Sequence, residues 1–289
     1  MEKLISIVGL TSSGKSGLGI ELARVFNGEI VSADSRQVYK GLDWCSGKVT
    51  KYEQLEAKHH LLDVASLGER YTLFDFQRDA YTAIDEILSR NKLPILVGGT
   101  GLYVRAVTEG YNLTEDKPNE QLRAELEAKP LAELLEIAKS KNIEIPAEPT
   151  VRRLVRLLEK SESQKPNQPR YDVLMLGIKW SREQIYERIK IRLENRMPHM
   201  IEEIKTLLKN GVSEDFLVSL GLEAKFIVRY LNGEFSSYEE FFDELFKEER
   251  HFAKRQQTWF NKDKNLVWIE ADNHLPERAK NLIEEFIKK

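Results

Sequence analysis

The stretch Gly9–Ser16 combines glycines, hydroxyl side chains and a lysine in an order suited to binding phosphate groups. It reads Gly9-Leu10-Thr11-Ser12-Ser13-Gly14-Lys15-Ser16 and fits G-x-x-x-x-G-K-[ST] at each fixed position. Glycines let such a loop curl so that successive N–H groups face an anion, and a following helix adds partial positive charge. Lys15 can then reach the outer phosphates, and the Ser16 hydroxyl can ligate Mg²⁺. The stretch therefore predicts a site for a phosphorylated ligand.

Two further polar side chains follow apolar runs. Asp34 comes after Glu29–Ser32, and Thr100 comes after Leu93–Val97 and two glycines. A carboxylate at Asp34 could bind Mg²⁺ through water, accept a proton or hold a substrate hydroxyl, and the alternative is capping of the next helix. The glycines would let the hydroxyl and N–H groups of Thr100 approach a phosphate, although a plain turn has the same residues.

Arg188 and Arg192 lie four residues apart and so share one face of a predicted helix. A guanidinium donates two hydrogen bonds in a fixed fork, so with Lys15 these arginines could neutralise a diphosphate leaving group. The alternative is ordinary ion pairing with Glu187 or Glu194 on an exposed helix. Periodicity alone leaves both interpretations open.

Three segments are locally basic, although the net charge of the whole chain is −3. They are Arg152–Arg156, Arg182–Arg196 and Lys254–Lys264. Such patches are typical of nucleic-acid contacts and also of solvated helix faces. In the third patch, Trp259 and Phe260 stand beside basic residues. We expect both rings to anchor the core rather than to stack on bases.

The elements that must position these groups alternate between strand and helix over the first 110 residues. Apolar runs at 4–8, 29–32 and 93–97 predict buried strands, and stretches with helical spacing separate them. This rhythm predicts an α/β fold of the P-loop NTPase-like kind, with a parallel sheet flanked by helices. Ligands bind at the carboxyl ends of such strands. The phosphate loop, Asp34 and Thr100 should therefore border one cleft.

The chain changes character between residues 112 and 169, where short charged helical patterns are broken by prolines. We predict a core domain of residues 1–111 and 170–289, and a small helical insertion of residues 112–169. The second half of the core is predicted to contain strands at 171–180 and 266–269. Helices are predicted at 182–209, at 238–260 and from about Pro276.

Composition excludes several classes of protein. No apolar run approaches the roughly 20 residues that cross a bilayer, and the first residues enter a strand without the pattern of a signal peptide. The single Cys45 excludes an internal disulfide, and His59-His60 is predicted to be a solvated helix end rather than a metal site. We expect a cytoplasmic protein with no membrane contact. Nothing suggests an obligate partner subunit, so we expect a monomer.

Four motifs occur in a characteristic order along the chain. They are Gly9–Ser16, Asp34-Ser35-Arg36-Gln37-Val38-Tyr39-Lys40-Gly41-Leu42-Asp43, Gly98-Gly99-Thr100-Gly101-Leu102-Tyr103 and Ala253-Lys254-Arg255-Gln256-Gln257-Thr258-Trp259-Phe260. The chain resembles the tRNA dimethylallyltransferase family, in its bacterial form, from the first strand to about residue 269. The second and fourth motifs are far more specific than the phosphate loop, which many unrelated proteins share.

The resemblance implies a reaction and a set of roles. A dimethylallyl group would pass from dimethylallyl diphosphate to N6 of adenosine 37, in tRNAs reading codons that start with U, giving N6-isopentenyladenosine and diphosphate. Thr11–Ser16 would bind the diphosphate rather than ATP, with Mg²⁺ held partly by Ser16. Asp34 would accept the N6 proton, Thr100 would contact the bridging oxygen, and Lys15 with Arg192 would stabilise the departing charge.

The resemblance also implies contacts with the anticodon stem-loop. The adenine would be flipped out of the loop and read by the side chains of Asp34, Ser35, Arg36 and Gln37, together with Thr100. Basic residues would hold the rest of the stem-loop, namely Arg123, Arg152, Arg153, Arg156, Lys254 and Arg255.

The sequence departs from the usual pattern of that family at Trp44–Ser46, at Leu222–Ala224 and at Pro198, which stands inside a predicted helix. Two other classes of protein stay open. A small-molecule or nucleotide kinase would bind ATP at the loop and place Asp34 at its acceptor site. A non-catalytic RNA-binding protein would use the basic patches, with nucleotide binding as a switch.

Overall fold

The computed structural model describes residues 1–113, 120–141, 143, 145, 149–159 and 168–289. The chain divides into two compact units, Met1–Glu109 with Pro169–Lys289, and Gly110–Gln168. The borders predicted from the sequence, 111/112 and 169/170, differ from these by two residues and by one residue. Parts of the predicted insertion, residues 114–119 and 160–167 among them, lie outside the described residues.

A parallel sheet forms the centre of the first unit, and the described residues give it six strands in the order β3-β2-β4-β1-β5-β6. Each of its pairings is parallel. This confirms the predicted fold class. The strands are β1 Lys3–Val8, β2 Gly28–Ser32, β3 His59–His60, β4 Leu93–Gly98, β5 Asp172–Lys179 and β6 Leu266–Glu270.

Helices follow most strands, as expected where parallel strands need a crossover connection. The long helices predicted at 182–209 and 238–260 are present with those bounds, and the last helix begins one residue before Pro276. The described residues form α1 Lys15–Val25, α2 Lys51–Glu56, α3 Leu73–Ser89, α4 Gly101–Thr108, α5 Glu120–Glu127, α6 Leu131–Ser140, α7 Val151–Glu159, α8 Arg182–Lys209, α9 Glu214–Leu220, α10 Leu222–Leu231, α11 Tyr238–Phe260 and α12 Leu275–Lys288.

Both faces of the sheet are covered, because successive side chains of a strand point to opposite sides. Leu4 and Val8 of β1 pack in a cluster with α3 and α4, whereas Ile5 and Ile7 pack in another with α1 and α12. All four side chains are 0% exposed. Burial of each such side chain contributes about 1.5–3 kcal/mol relative to an exposed one, so β1 anchors the phosphate loop that follows it.

A third cluster joins α8–α11 to the segment that follows β2. Met197 and Met200 of α8 and Phe241 of α11 are fully buried there with Val38 and Leu42. Pro198 lies inside α8, which continues to Lys209. The predicted helix at 182–209 is therefore confirmed despite the proline. This packing carries α8 and α11 to the carboxyl edge of the sheet.

The loops after β2 and β4 approach each other closely at Gly98. A Cβ atom at Gly98 would lie 2.1 Å from the carbonyl oxygen of Ala33, so a side chain there would separate the two loops. The Ala33 N–H donates to Val97 (2.8 Å), and the Thr100 N–H donates to Ala33 (3.4 Å). This contact places Asp34 and Thr100 at the same edge of the sheet, as predicted.

The prediction of a solvated helix end at His59-His60 is wrong. The pair forms β3, which is hydrogen-bonded to β2, and His60 Nε2 lies 2.7 Å from the buried carboxylate of Glu29. Burial alone would raise the pKa of Glu29, but hydrogen bonds from His60, Lys92 and Arg90 outweigh it and lower the pKa to about 2. Within the described residues no group of three or more His, Cys, Asp or Glu side chains could hold a metal ion.

The second unit contains α5, α6 and α7 around a small apolar core that includes Leu134 and Leu154. The guanidinium of Arg123 donates two hydrogen bonds of 2.9 Å to the carboxylate of Glu159. Arg152, Arg153 and Arg156 are exposed on α7. In neither unit do the described residues include a helix that is long and apolar enough to cross a membrane.

Candidate active site

The phosphate loop connects β1 to α1, as its sequence predicted. Gly14, with φ of 90°, takes a left-handed conformation immediately before α1. No side chain caps the N-terminus of α1, and its first turn holds no acidic residue. The N–H groups and partial positive charge of this end are therefore left for an external anion.

Side chains from α8 and the end of β5 hold the outer part of the loop. Trp180 Nε1 donates to the Ser13 carbonyl (2.9 Å), and Arg188 Nε donates to the Ser12 carbonyl (2.8 Å). The Arg188 guanidinium also stacks on the Trp180 ring, 4.4 Å from its centroid. The carbonyls of Ser12 and Ser13 are thus bound by side chains outside the loop. This arrangement favours a loop whose N–H groups face the space where an anion would bind.

Gln256 of α11 bridges two loops of the site, and sequence reasoning missed this role. Its Oε1 accepts a hydrogen bond from the Thr11 N–H (2.8 Å), and its Nε2 donates to the Gly99 carbonyl (3.0 Å). The side chain is 8% exposed. The glutamine therefore fixes the spacing between the phosphate loop and the loop that carries Thr100.

Lys15 lies between two charged side chains of the site. Burial and, to a smaller extent, the charge of Arg192 lower its pKa to about 8, while Asp34 acts in the opposite direction. Arg192 itself donates to the Thr11 hydroxyl (2.8 Å). The position of Arg192 beside Lys15 supports the anion-binding interpretation of this arginine over an exposed ion pair.

Asp34 and Thr100 are both oriented by the loop after β2. One oxygen of Asp34, Oδ1, accepts hydrogen bonds from the N–H groups of Arg36 (2.8 Å) and Gln37 (3.4 Å). The helix-capping alternative for Asp34 is wrong, because the next helix along the chain is α2 and Thr50 caps it. The bonds of Asp34 instead close the turn that follows β2, and among the described residues they occupy only Oδ1. Thr100 Oγ1 accepts from the Ser35 N–H (3.2 Å), which leaves its own O–H to donate.

The amide of Gln37 is bound within the protein at both ends. It donates to the Gly47 carbonyl (3.2 Å) and accepts from the Ser32 hydroxyl (3.0 Å). In this conformation Gln37 orients the loop after β2. One N–H and one lone pair of the amide are not used by these two bonds and could contact a base.

We call the two hollows on either side of Lys15 cavity 1 and cavity 2. Cavity 1 has a volume of about 730 Å³ and is lined by side chains of the phosphate loop, the 43–54 segment and α8. Its lining combines cations with apolar groups. They include Lys15, Arg188, Arg192, Trp44, Val49 and Ile191.

Cavity 2 has a volume of about 680 Å³ and lies over the loops that follow β2 and β4. Asp34, Arg36, Gln37 and Thr100 line it beside apolar groups of α11. The two cavities share four residues. These are Lys15, Ser16, Gly47 and Arg192.

Most of the residues predicted to contact substrate border one of these cavities. Thr11, Ser35 and Arg255 line cavity 2, and Ser12 and Gly14 line cavity 1. Leu10 and Ser13 are instead buried, 3% and 1% exposed, and support the loop from behind. Gly9 is placed against Ser13, where a Cβ would lie 2.8 Å from the Ser13 hydroxyl. Lys254 is exposed on α11 and borders neither cavity.

The expectation that Trp259 and Phe260 both anchor the core is confirmed for Phe260 and wrong for Trp259. Phe260 is 3% exposed, whereas Trp259 is 38% exposed and lines cavity 2. Gly101 leaves the room that the indole occupies, and the Arg105 guanidinium lies 5.3 Å from the ring centroid. Adjacent residues of a helix point about 100° apart, so burial of Phe260 does not require burial of Trp259.

Buried charges behind Arg192 were also missed. Glu249 of α11 is 5% exposed and lines cavity 2 with Glu223. Burial and then the Glu223 carboxylate raise the pKa of Glu249, against the charges of Arg192 and Arg196. Burial lowers the pKa of Arg196 to about 10, with Arg192 contributing in the same direction.

The donors at the phosphate loop fit a magnesium ion that a ligand brings with it. Ser16 lines both cavities, and the described residues offer no acidic cluster that would hold the ion alone. Mg²⁺ in such sites keeps several waters and binds one or two protein oxygens together with substrate phosphates. The Ser16 hydroxyl is the protein oxygen suited to this arrangement.

A phosphate loop at the carboxyl edge of a six-stranded parallel sheet defines a protein of the P-loop NTPase-like class. A family model described as IPP transferase matches residues 37–263. The tRNA dimethylallyltransferase 2 of Shewanella sediminis is 42% identical to this chain, and the match covers 96% of each of the two chains. The tRNA dimethylallyltransferase of Streptococcus agalactiae is 39% identical to this chain, and the match covers 99% of this chain and 98% of the relative. The chain belongs to the IPP transferase family, as the motifs indicated.

Solved structures give the same result. The crystal structure of the full-length tRNA isopentenylpyrophosphate transferase from Bacillus halodurans is 34% identical, with a TM-score of 0.75 over 100% of this chain and 96% of that one. A eukaryotic dimethylallyltransferase acting on tRNA is 24% identical and shares the fold, with a TM-score of 0.81. The match covers 100% of this chain and 80% of that one. These relatives do not support the kinase interpretation.

Proposed function

We propose that this protein is a prenyltransferase that moves a dimethylallyl group from dimethylallyl diphosphate to N6 of adenosine 37 in tRNAs that read codons starting with U. The products are N6-isopentenyladenosine and diphosphate. The observation that carries the proposal is that cavities 1 and 2 share Lys15 and Arg192. A donor and an acceptor that enter from the two cavities can meet beside those cations.

The donor side is built for a diphosphate. The uncapped N-terminus of α1, Lys15 and Arg192 all present positive charge to the same region. Bound magnesium would neutralise part of the diphosphate charge, with the Ser16 hydroxyl as a ligand. Such preorganised charges act most strongly where negative charge grows in the transition state, which here is on the departing diphosphate.

The acceptor side is suited to a flipped base. Cavity 2 places Trp259, Phe252 and Leu102 around a slot that also contains Asp34 and Thr100. Apolar and aromatic walls with a few polar groups are the usual lining of a base-flipping pocket, and flipping an unpaired base costs about a few kcal/mol.

The transfer step follows from these positions. The N6 lone pair attacks the allylic carbon, the bond from that carbon to the diphosphate oxygen breaks, and the electron pair leaves with the diphosphate. The proton released from N6 passes to Asp34, whose Oδ1 is already held by backbone N–H groups. Thr100 donates its O–H to the bridging oxygen, since its Oγ1 already accepts from Ser35.

Basic residues supply the sequence-independent part of tRNA binding. Arg255 borders cavity 2, and Lys254 is exposed on the same helix. In the second unit, Arg152, Arg153 and Arg156 form an exposed row on α7, while Arg123 is engaged with Glu159. We assign the α7 row to the phosphates of the anticodon stem-loop. The enzyme would act as a cytoplasmic monomer.

The test is incubation of the protein with Mg²⁺, radiolabelled dimethylallyl diphosphate and an unmodified tRNA that carries A36-A37. The label should enter that tRNA and should not enter the same tRNA with G at position 37. Transfer from ATP to a metabolite without labelling of tRNA would instead establish a kinase. Binding of tRNA without either reaction would establish a non-catalytic RNA-binding protein.

A further inference from the structure

Trp44 presents a large apolar surface that the reaction outlined above leaves unused. The residue is 43% exposed and lines cavity 1. A single exposed aromatic residue needs no ligand, but this one borders a cavity and offers that cavity a large, rigid apolar surface.

The position of Trp44 is fixed from α8 by two separate contacts. The carboxylate of Glu203 accepts hydrogen bonds from three successive N–H groups, those of Asp43 (2.6 Å), Trp44 (2.8 Å) and Cys45 (2.8 Å). One turn earlier on α8, His199 stacks on the indole with 4.1 Å between ring centroids and 18° between planes. The ring is thus held before any ligand arrives, which reduces the entropy lost on binding.

The rest of cavity 1 identifies the chemistry of that ligand. Lys15, Arg188 and Arg192 line it together with the phosphate loop, and Val49 and Ile191 line it beside Trp44. A molecule with an anionic head and a short apolar tail matches both parts of this lining. Ile191, which is 47% exposed, extends the apolar part of this lining.

We propose that Trp44 is the wall against which the prenyl tail of the donor packs, and that it sets the length of tail that the enzyme accepts. This inference rests on the proposed function for the identity of the donor. The diphosphate binds at the phosphate loop, and the tail extends from it along the indole. Glu203 and His199 are positioning residues for that wall.

The experiment compares wild type with Trp44→Ala and Trp44→Phe, and measures the affinity for dimethylallyl diphosphate and for inorganic diphosphate by calorimetry with Mg²⁺. Trp44→Ala should weaken binding of dimethylallyl diphosphate by about tenfold and leave that of inorganic diphosphate within about twofold. Trp44→Phe should retain part of the difference. An equal change for both ligands, or no change for either, overturns the proposal. These measurements need no tRNA, so they stay informative if the proposed transfer reaction fails.

Tail length is tested with geranyl diphosphate, whose tail is one isoprene unit longer. The ratio of kcat/KM for geranyl over dimethylallyl diphosphate should rise by about tenfold in Trp44→Ala. An unchanged ratio overturns the length limit. A raised KM for tRNA with unchanged donor affinity would show that the ring serves an RNA base instead.

The matched control is Tyr52→Ala, because Tyr52 is 72% exposed on α2 and lines neither cavity. It should behave as wild type in each assay. Thermal unfolding of the variants separates loss of the wall from loss of the fold.

Discussion

Cavities 1 and 2 meet at Lys15 and Arg192, yet their other walls differ in chemistry. Cavity 1 adds Arg188 and helix N-terminal charge to an apolar wall, whereas cavity 2 adds the carboxylates of Asp34 and Glu249 to aromatic side chains. The first environment stabilises an anion, and the second can receive a proton. The difference teaches that cation-rich and acid-bearing walls lie on opposite sides of the same two cations, so the two tasks of a transfer reaction can be served by different walls.

The largest effect should come from Asp34→Asn, which changes the acceptor side alone. The amide oxygen of asparagine can still accept from the Arg36 and Gln37 N–H groups, so the loop should keep its shape. Loss of a general base typically lowers turnover by about 10²–10⁴. We expect kcat to fall by about 10³, with KM for both substrates within about threefold in steady-state assays. A kcat near that of wild type would mean that another group takes the N6 proton.

Lys15→Ala should have the next largest effect, and on the donor side. Removal of one preorganised charge at a leaving group lowers the rate by about 10²–10³. We expect kcat/KM for dimethylallyl diphosphate to fall by that factor while tRNA binding, measured by filter retention, stays unchanged. Equal losses in donor and tRNA affinity would contradict the division between the two cavities.

The same lysine predicts a pH dependence. The pKa of Lys15 is lowered to about 8, so the free enzyme loses this positive charge as pH rises through 8. Donor kcat/KM should therefore be maintained below about pH 8 and decline above it. In Lys15→Arg the decline should disappear, because a guanidinium stays charged. A decline that persists in Lys15→Arg would point to Glu249, whose pKa is raised by burial and by the Glu223 carboxylate.

Gln256→Ala should give an intermediate effect that spans both cavities. The substitution removes the bridge between the Thr11 N–H and the Gly99 carbonyl, and displacement of reacting groups by a fraction of an ångström is costly. We expect about a tenfold loss of kcat/KM for donor and tRNA alike. The neighbouring Gln257→Ala, which lines neither cavity, is the control and should be close to wild type.

The smallest effect should come from Trp259→Ala in cavity 2. Stacking of a base on an aromatic side chain contributes about 1–3 kcal/mol. Because Trp259 forms only one wall, we expect KM for tRNA to rise about fivefold and donor affinity to stay unchanged. A rise in donor KM instead would mean that the two cavities exchange their roles.

The parts of the site that could be predicted are those encoded by neighbouring residues. The phosphate loop is one continuous motif after an apolar strand, and the spacing of Arg188 and Arg192 follows from helix geometry alone. Asp34 and Thr100 were placed at one edge because all strands of a parallel sheet point the same way. These inferences needed no knowledge of distant contacts.

What the sequence missed depends on tertiary packing. The Gln256–Thr11 contact joins residues 245 positions apart, and no local pattern indicates it. β3 has only two residues, too few for periodicity to detect, and it is defined by backbone pairing with β2, beside a contact of His60 with the buried Glu29. Trp259 was assigned to the core because hydrophobicity alone does not show which side of α11 faces the sheet.

The distance along the chain between Thr11 and Gln256 has a consequence for biosynthesis. A ribosome makes the phosphate loop among the first residues, but the side chains that bind its carbonyls and its Thr11 N–H come from residues 180–256. A nascent chain that ends before α11 therefore carries the phosphate-binding sequence without the bridge to Gly99. Bringing the two ends of so long a segment together costs chain entropy, and contacts made by the helices that are synthesised late offset that cost. The capacity to react is thus acquired near the end of synthesis, well after the sequence that marks it has been made.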